Sequence, residues 1–270
     1  MNKLNSIKDL FKPVQPAIKA GQNQVSYMET PPDFRLSDFI YCYWQLATQK
    51  PLDKNFIYRV VTDGCIDILW EANSPHQNFI TGFSNQYMEF QLETTFNYMG
   101  IRFLPTAFPL LFNLPASELT NRFEDLYAVN SLLSMQISQS IEGSNILESV
   151  KTKLDNLFLL IIRDHQTISD PRLFHSLEII LQNKGQVGIE KDLETGLSTR
   201  QLRRLFKFYI GDSPKTFSKV VRFQSFLNQN PTRKNIRGNK IYFDLGYFDQ
   251  SHFIKDFKNF YGLPPSRAFD

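Results

Sequence analysis

Apolar and polar residues alternate in five short segments of the first hundred residues. The segments are rich in aromatic and β-branched side chains, and turn-forming residues such as Pro31-Pro32, Asp63-Gly64 and Asn73-Ser74-Pro75 separate them. A period of two is the pattern of a half-buried strand. Strands are therefore predicted over Ser37–Leu46, Asn55–Val61, Gly64–Trp70, Gln86–Glu93 and Phe96–Leu104, and their spacing indicates an antiparallel barrel or sandwich.

After Pro105 the period becomes that of a helix. Two short helices are predicted, over 106–114 and over 117–128, the second with Ser117 as its N-cap. Residues Ser131–His165 are predicted to be helical, with a break near Gly143-Ser144. The apolar positions from Leu147 to Ile161 form a broad helix face, which needs a partner: either the rest of the domain or a second copy of the chain.

From Asp170 onward the pattern predicts only short helices separated by glycines. The fold class is thus α+β and multidomain, with an antiparallel β domain at residues 1–130, a helical connector at 131–169 and an all-α domain at 170–270. The predicted helices of the last domain are Leu173–Asn183, Gly188–Thr195, Thr199–Ile210, Pro214–Asn228, residues 241–245 and Gln250–Tyr261.

Composition excludes several classes of protein. The chain has 270 residues, of which 42% are hydrophobic, so a substantial core is expected. Its longest apolar run, Leu157–Ile162, is far below the ~20 residues that cross a bilayer, and the first residues carry no secretory pattern. A soluble, cytoplasmic protein is expected. Cys42 and Cys65 lack metal-type spacing and are expected to be reduced, buried thiols.

Charge is distributed unevenly along the chain. Residues 171–270 contain 17 Lys and Arg against 9 Asp and Glu, whereas residues 1–170 contain 13 against 18. A basic third joined to an acidic remainder favours a polyanionic partner for the C-terminal domain.

Two stretches of the basic domain share one design. GLSTRQLRRLFKFYIG (196–211) and GYFDQSHFIKDFKNFYG (246–262) each have a glycine turn, a polar cap, an amphipathic helix and a closing glycine. A short helix is predicted before each, which makes two helix-turn-helix units, and the second helix of such a unit enters the DNA major groove. The helix over Pro214–Asn228 rises about 22 Å and is suited to hold both units on neighbouring grooves of one duplex.

The outward faces of the two recognition helices supply the candidate DNA contacts. Arginine matches the O6 and N7 acceptors of guanine and also binds phosphate, while Gln, Ser, His and Lys suit base edges or phosphates. The candidates are Arg200, Gln201, Arg203, Arg204 and Lys207 on the first helix and Gln250, Ser251, His252 and Lys255 on the second.

These stretches, with VVRFQSFL (220–227) and the extension to GLPPSRA (262–268), resemble the DNA-binding domain of the AraC/XylS family of bacterial transcription regulators. VTDGCIDILW (61–70), GIRFLPTAF (100–108) and SELTNRFEDL (117–126) are similar to the regulatory domain that precedes it in one subgroup. The resemblance implies a double helix-turn-helix that binds double-stranded promoter DNA, a cupin-like sensor domain, and no enzymatic activity.

The chain departs from the family pattern at two positions. Family members usually place alanine four residues before each turn glycine, where this chain has Asp192 and Tyr242. Either the short helices are shifted there or their packing is looser, and the angle of each recognition helix depends on which of the two holds. The loop between the units carries Arg233, Lys234, Arg237 and Lys240, which are candidates for phosphate contacts or for simple solvation.

The β domain offers a ligand pocket rather than a catalytic site. Its single histidine, His76, cannot form a two-histidine metal site, and no catalytic residues, metal or cofactor are expected. Trp44, Arg59, Trp70 and Arg102 are candidates for binding a small-molecule effector, with barrel core as the alternative. The acidic domain could also contact RNA polymerase or a second copy.

Two other functions stay open at this stage. One is a DNA-associated enzyme with a reactive Cys42 or Cys65, and the other is a protein-interaction module whose basic face binds an acidic partner.

Overall fold

The β domain is built on one large antiparallel sheet. A computed structural model of the chain describes residues 5–16, 24–163, 170–189, 191, 193, 195–232 and 241–269. The six-stranded sheet has the order β1-β2-β7-β4-β5-β8, and β3 and β6 form a separate antiparallel pair. The strands are β1 Val25–Thr30, β2 Ile40–Thr48, β3 Phe56–Val60, β4 Ile66–Glu71, β5 Asn78–Thr81, β6 Met88–Leu92, β7 Asn97–Phe103 and β8 Phe123–Asp125.

The large sheet separates two cores because its side chains alternate between faces. On one face Tyr43, Trp70 and Phe103 pack against helices, with the Phe103 ring centroid 5.7 Å from that of Phe158. On the other face Trp44 and Leu46 pack toward the small β3–β6 sheet. The arrangement is a sandwich with a helical layer on its outer side.

The predicted helix over 117–128 is wrong. A 3-10 turn at Ala116–Glu118 is followed by strand β8, and only Leu126–Val129 is helical. Phe123–Asp125 pairs with β5, and the Phe123 ring stacks on Phe79 at 4.8 Å. This pairing across the sheet outweighs the local helical pattern. Strands β1 and β5 were also missed, whereas the five predicted strands are confirmed.

The helices are α1 Asn5–Leu10, α2 Ala107–Phe112, α3 Leu126–Val129, α4 Ser131–Ile141, α5 Leu147–Arg163, α6 Pro171–Gln182, α7 Thr199–Tyr209, α8 Pro214–Leu227, α9 Ile241–Asp244, α10 Gln250–Tyr261 and α11 Pro265–Ala268. Helix α2 and the helices from α4 to α10 follow the sequence prediction closely, whereas α1 and α11 were not predicted. The helix predicted over 188–195 lies partly outside the described residues, and those described there, 188, 189, 191, 193 and 195, are not helical.

Helix α8 lies at the centre of the helical domain and also touches the β domain. Phe217, Val220, Phe223 and Phe226 on it are buried. Phe217 lies against Gly64 of the β domain, and Gln224 Nε2 donates to the Thr62 carbonyl at 2.6 Å. The two domains therefore share one continuous apolar core.

A second junction joins the end of α7 to the β domain. The Thr120 hydroxyl donates to the Gly211 carbonyl at 2.8 Å, and Asn85 Nδ2 donates to Asp212 Oδ2 at 3.0 Å. Gly211 has φ +113°, and a Cβ there would lie 2.9 Å from that of Phe83. Both the backbone angle and the close approach require glycine at this position.

Candidate nucleic-acid interface

Helix α7 presents an almost wholly basic outer face. Ser198 and Gln201 form a reciprocal capping box that fixes its first turn. Leu202 and Phe206 are buried on its inner side. Its exposed residues are Thr199, Arg200, Gln201, Arg203, Arg204 and Lys207, four of them cations.

The capping box also engages one of the predicted contact residues. Gln201 Oε1 accepts from the Ser198 backbone N–H at 3.0 Å and from its hydroxyl at 2.9 Å. The Gln201 oxygen is therefore committed to the helix start, and only its Nε2 can face a ligand.

Helix α10 presents a milder polar face. Asp249 caps it by accepting from the His252 N–H at 2.8 Å, and Gly262 ends it at φ +88°. Phe253 and Phe257 are buried, whereas Gln250, Ser251 and Lys255 are exposed. His252 is exposed but turned toward its own domain, with Nε2 3.6 Å from Asp256 Oδ2 and its ring 5.2 Å from Tyr247.

The structure brings the two helices to the walls of one groove. Arg203 of α7 and His252 of α10 line it from either side, and α8 contributes its floor. The groove has a volume of about 640 Å³. Its basic lining residues are Lys191, Arg203, Lys215, Lys219 and Arg222.

Two of these cations have structural roles. Lys219 Nζ pairs with Asp256 Oδ1 of α10 at 3.1 Å. Arg222 donates to the carbonyls of Gly185 at 3.0 Å and Gly246 at 3.3 Å, and its guanidinium lies over the Tyr247 ring. Arg222 thus ties the turn that follows α6 to the turn that precedes α10.

The remaining cations keep the groove positive. Lys191, Arg203 and Lys215 form no ion pair with a described acidic residue. Sequence reasoning missed Lys215 and Lys219 because α8 was treated only as a spacer. The available signal was their spacing: positions 215, 219 and 222 are i, i+4 and i+7, which share one helix face.

The two departures from the expected pattern have different outcomes. Tyr242 packs on the inner side of α10, with its ring stacked on Phe253 at 6.3 Å. An aromatic side chain thus fills the contact where a small residue was expected. Asp192 lies outside the described residues, as do the loop cations Arg233, Lys234, Arg237 and Lys240.

The β domain contains a partly open cavity of about 90 Å³ between its two sheets. Trp44 and Arg102 line it, as predicted, together with aromatic and aliphatic residues of β3 and β6. Arg102 is buried and its Nη2 donates to Asp67 Oδ2 at 2.9 Å. Trp44 Nε1 donates to the same carboxylate at 3.0 Å.

The other two predicted ligand residues lie elsewhere. Trp70 belongs to the core on the opposite face of the large sheet. Arg59 is ion-paired with Glu89 on the outer face of the small sheet, because its neighbours Tyr58 and Val60 point into the cavity. Cys42 and Cys65 are buried, and burial raises the pKa of both thiols well above its ordinary value. Neither thiol is therefore a ready nucleophile.

Comparisons with known proteins agree with this architecture. Residues 193–270 match the family described as "Helix-turn-helix domain", and residues 28–125 match "Domain of unknown function (DUF6597)". A protein of Haemophilus influenzae named as an HTH-type transcriptional regulator is 29% identical over 155 residues, which are 52% of this chain and 51% of that protein. The C-terminal part of the chain therefore contains a helix-turn-helix domain.

The chain spans about half the length of the curated relative that it matches. Among solved structures, ToxT from Vibrio cholerae O395 is 14% identical with a TM-score of 0.37, covering 90% of this chain and 94% of that one. A second ToxT crystal form is 13% identical with a TM-score of 0.38, covering 90% and 96%. Within the described ranges, no helix combines the length and apolarity that a membrane span requires.

Proposed function

We propose that this AraC-type chain binds double-stranded promoter DNA and regulates transcription, with α7 and α10 entering adjacent major grooves. The observation that carries the proposal is the groove whose walls are Arg203 of α7 and His252 of α10 and whose floor is the basic face of α8. A duplex backbone that passes from one major groove to the next would lie against these cations. The alternative of an acidic protein partner would account for the positive charge of the groove but not for the two helix-turn-helix units beside it.

The roles of individual residues follow from their positions. Arg200, Arg203 and Arg204 suit guanine edges, Lys207 suits phosphate, and Gln250, Ser251 and Lys255 suit base edges or phosphates in the second groove. Gln201 is assigned to the helix cap, and His252 to the groove wall. We assign the regulatory domain to residues 1–130, the connector to 131–169 and the DNA-binding domain to 170–270.

Selection of genomic DNA fragments by the purified chain tests the proposal and yields a site for measurement. On that site, Arg203→Ala should cost about 1–3 kcal/mol of binding free energy and relax the preference at one position. Lys207→Ala should weaken binding to all sequences evenly. Fluorescence anisotropy on the selected site and on a scrambled duplex separates these outcomes.

Affinity that does not fall steeply as salt rises would contradict the proposal, because phosphate neutralisation releases counterions. So would an Arg203→Ala protein with unchanged preference and affinity. Both measurements use the whole chain, since its domains share a core.

We further propose that the β domain controls DNA binding through a ligand in its 90 Å³ cavity. Arg102 Nη1 is buried without a hydrogen-bond partner, and the closest carboxylate oxygen, Glu29 Oε1, is 3.7 Å away. Asp67, Asp63 and Glu29 together more than balance its charge. The site therefore favours a small, mostly apolar and uncharged compound with one hydrogen-bond acceptor.

Filling the cavity tests this second proposal. Small uncharged aromatic compounds should change the fluorescence of Trp44 in the wild-type chain, and Leu69→Phe should abolish the response by occupying the space. The matched control is Ile57→Phe, which adds the same ring on the exposed outer face of the small sheet. A response that survives Leu69→Phe would place the binding site elsewhere.

A further inference from the structure

Exposed apolar side chains in the DNA-binding domain are confined to the second helix-turn-helix unit. Among the described residues from 170 to 269, the exposed large hydrophobic side chains are Phe243, Phe248 and Ile254. Phe248 is 88% exposed, the highest value for a large apolar residue in the described chain. The first unit exposes only polar residues at the corresponding places.

The local structure holds Phe248 outward. Its neighbour Tyr247 fills the interior, with its ring 5.3 Å from Phe253 and the Arg222 guanidinium 5.2 Å from its centroid. On the other side, Asp249 is fixed as the cap of α10. Gly246, with φ +71°, makes the turn that delivers the chain to this point. Phe248 therefore has no inward place to occupy.

Ile254 is 37% exposed and lies at the edge of the outward face of α10, three residues before the buried Phe257. It is four residues after Gln250 and three after Ser251, so the three side chains are neighbours on the helix surface. The face that would meet base edges is thus partly apolar, with Phe248 at its N-terminal end.

This composition differs from that of α7 in a way that predicts a different base preference for each helix. Guanine is recognised by arginine, adenine by the glutamine amide, and thymine by apolar contact with its C5-methyl group. The face of α7 has three exposed arginines, whereas that of α10 has Gln250 between two apolar side chains.

We propose that the second recognition helix selects A·T pairs, with Phe248 and Ile254 contacting thymine methyl groups and Gln250 available to adenine. The operator then has two unlike windows, one with guanines under α7 and one rich in A·T pairs under α10. This inference rests on the proposed DNA-binding function and specifies the chemistry of its second half.

Replacing thymine by uracil tests the inference, because it deletes only the methyl group. The window under α7 is the one whose preference shifts in Arg203→Ala, which identifies the other as the window under α10. In that second window, uracil at a contacted position should weaken wild-type binding about fourfold, the effect of one buried methyl-sized group. Uracil in the α7 window should have no such effect.

Variants of the chain complete a double-mutant cycle. Phe248→Ala or Ile254→Ala should weaken binding to the thymine site several-fold and lose the discrimination between thymine and uracil. Both residues are exposed, so the variants should fold normally, as a thermal melt would check. Phe34→Ala is the matched control, because Phe34 is 81% exposed on the β domain and should leave affinity and discrimination unchanged.

Full thymine–uracil discrimination in both variants would overturn the inference. If Arg203→Ala still relaxed the sequence preference, the proposed DNA-binding function would stand although the inference about thymine fell. Absence of sequence-specific binding in the wild-type chain would instead overturn both the inference and the proposed function.

Discussion

Asp67 is a buried carboxyl group of the β domain whose pKa is raised. It is buried beneath the cavity, where it accepts from both Trp44 Nε1 and Arg102 Nη2. Burial raises the pKa of Asp67 to about 6, although the Arg102 guanidinium acts in the opposite direction. A carboxyl whose pKa is higher in the folded than in the unfolded chain binds its proton more tightly when folded.

The stability of the chain should therefore depend on pH through Asp67. Its favourable contribution is complete below the unfolded pKa of about 3.9 and is lost as pH rises through about 6. The free energy of unfolding should fall by up to about 3 kcal/mol across that window. Subtracting the free energy of unfolding of Asp67→Asn from that of wild type at each pH isolates the contribution of Asp67. A difference that does not vary between pH 4 and 7 would contradict the prediction.

At this scale the sequence predicted residue types better than residue directions. Trp44 and Arg102 were placed correctly at the cavity, whereas Trp70 and Arg59 were not. Both errors concern the face of the sheet to which a side chain points, because adjacent strand residues point to opposite faces. The sequence does not say which face borders the cavity until the covering element is known. That element is the small sheet over Trp44, whose two strands are 30 residues apart, as in the pair Arg59 and Glu89.

Among the elements, α8 carries more of the candidate site than its role as a spacer requires. Lys219 holds α10 through Asp256, Arg222 joins the turn after α6 to the turn before α10, and Lys215 points into the groove without a described acidic partner. One helix face thus both supports the proposed DNA-binding surface and adds to its charge.

Lys215→Ala should reduce the salt dependence of DNA binding by about one unit of slope, the effect of one lost phosphate contact. Lys50→Ala removes the same charge from an exposed turn of the β domain and serves as control. Anisotropy titrations at several salt concentrations give the slope for each protein. An equal slope for Lys215→Ala and wild type would remove this lysine from the phosphate contacts.

Elements with strong local signals were predicted well, and those defined by distant partners were not. Helices α7 and α10 have caps, periodicity and closing glycines in their own sequence, and their predicted ends agree with the structure to one residue. Strand β8 consists of three residues whose identity as a strand depends on pairing with β5. A helical pattern over the same residues could not reveal that partner.

In the whole molecule, the two domains are joined by polar contacts as well as by apolar packing. Gln224 of α8 is buried, accepts from the Val14 N–H at 2.7 Å and donates to the Thr62 carbonyl at 2.6 Å. Gln15 extends this contact by donating to Asp63 Oδ2 at 2.8 Å and to the Val61 carbonyl at 3.0 Å. The segment from Lys12 to Gln15 therefore binds the DNA-binding domain to the β domain.

The sequence did not indicate this junction, since the partners of both glutamines are mostly backbone atoms far along the chain. Position 14 and position 224 are brought together only by the complete fold. The same holds for Thr120 and Gly211, whose contact joins the end of α7 to the β domain. Through these links, a change at the cavity has a continuous packed route to the reading helices.

Gln224→Met should weaken the polar junction between the two domains while keeping the volume of the side chain. It would leave the Val14 N–H and the Thr62 carbonyl buried without partners, at about 1–3 kcal/mol each.

Both tryptophans lie in the β domain, so their fluorescence reports on that domain, whereas far-ultraviolet circular dichroism is dominated by helices. The two signals should share one denaturation midpoint in wild type, because the core is continuous. In Gln224→Met the helical signal should be lost at lower denaturant than the fluorescence signal. Gln229→Met, an exposed change just beyond the same helix, should keep the midpoints together. Coincident transitions in Gln224→Met at the wild-type midpoint would show that apolar packing alone couples the domains, and that a signal from the β domain must travel through Phe217 and its neighbours.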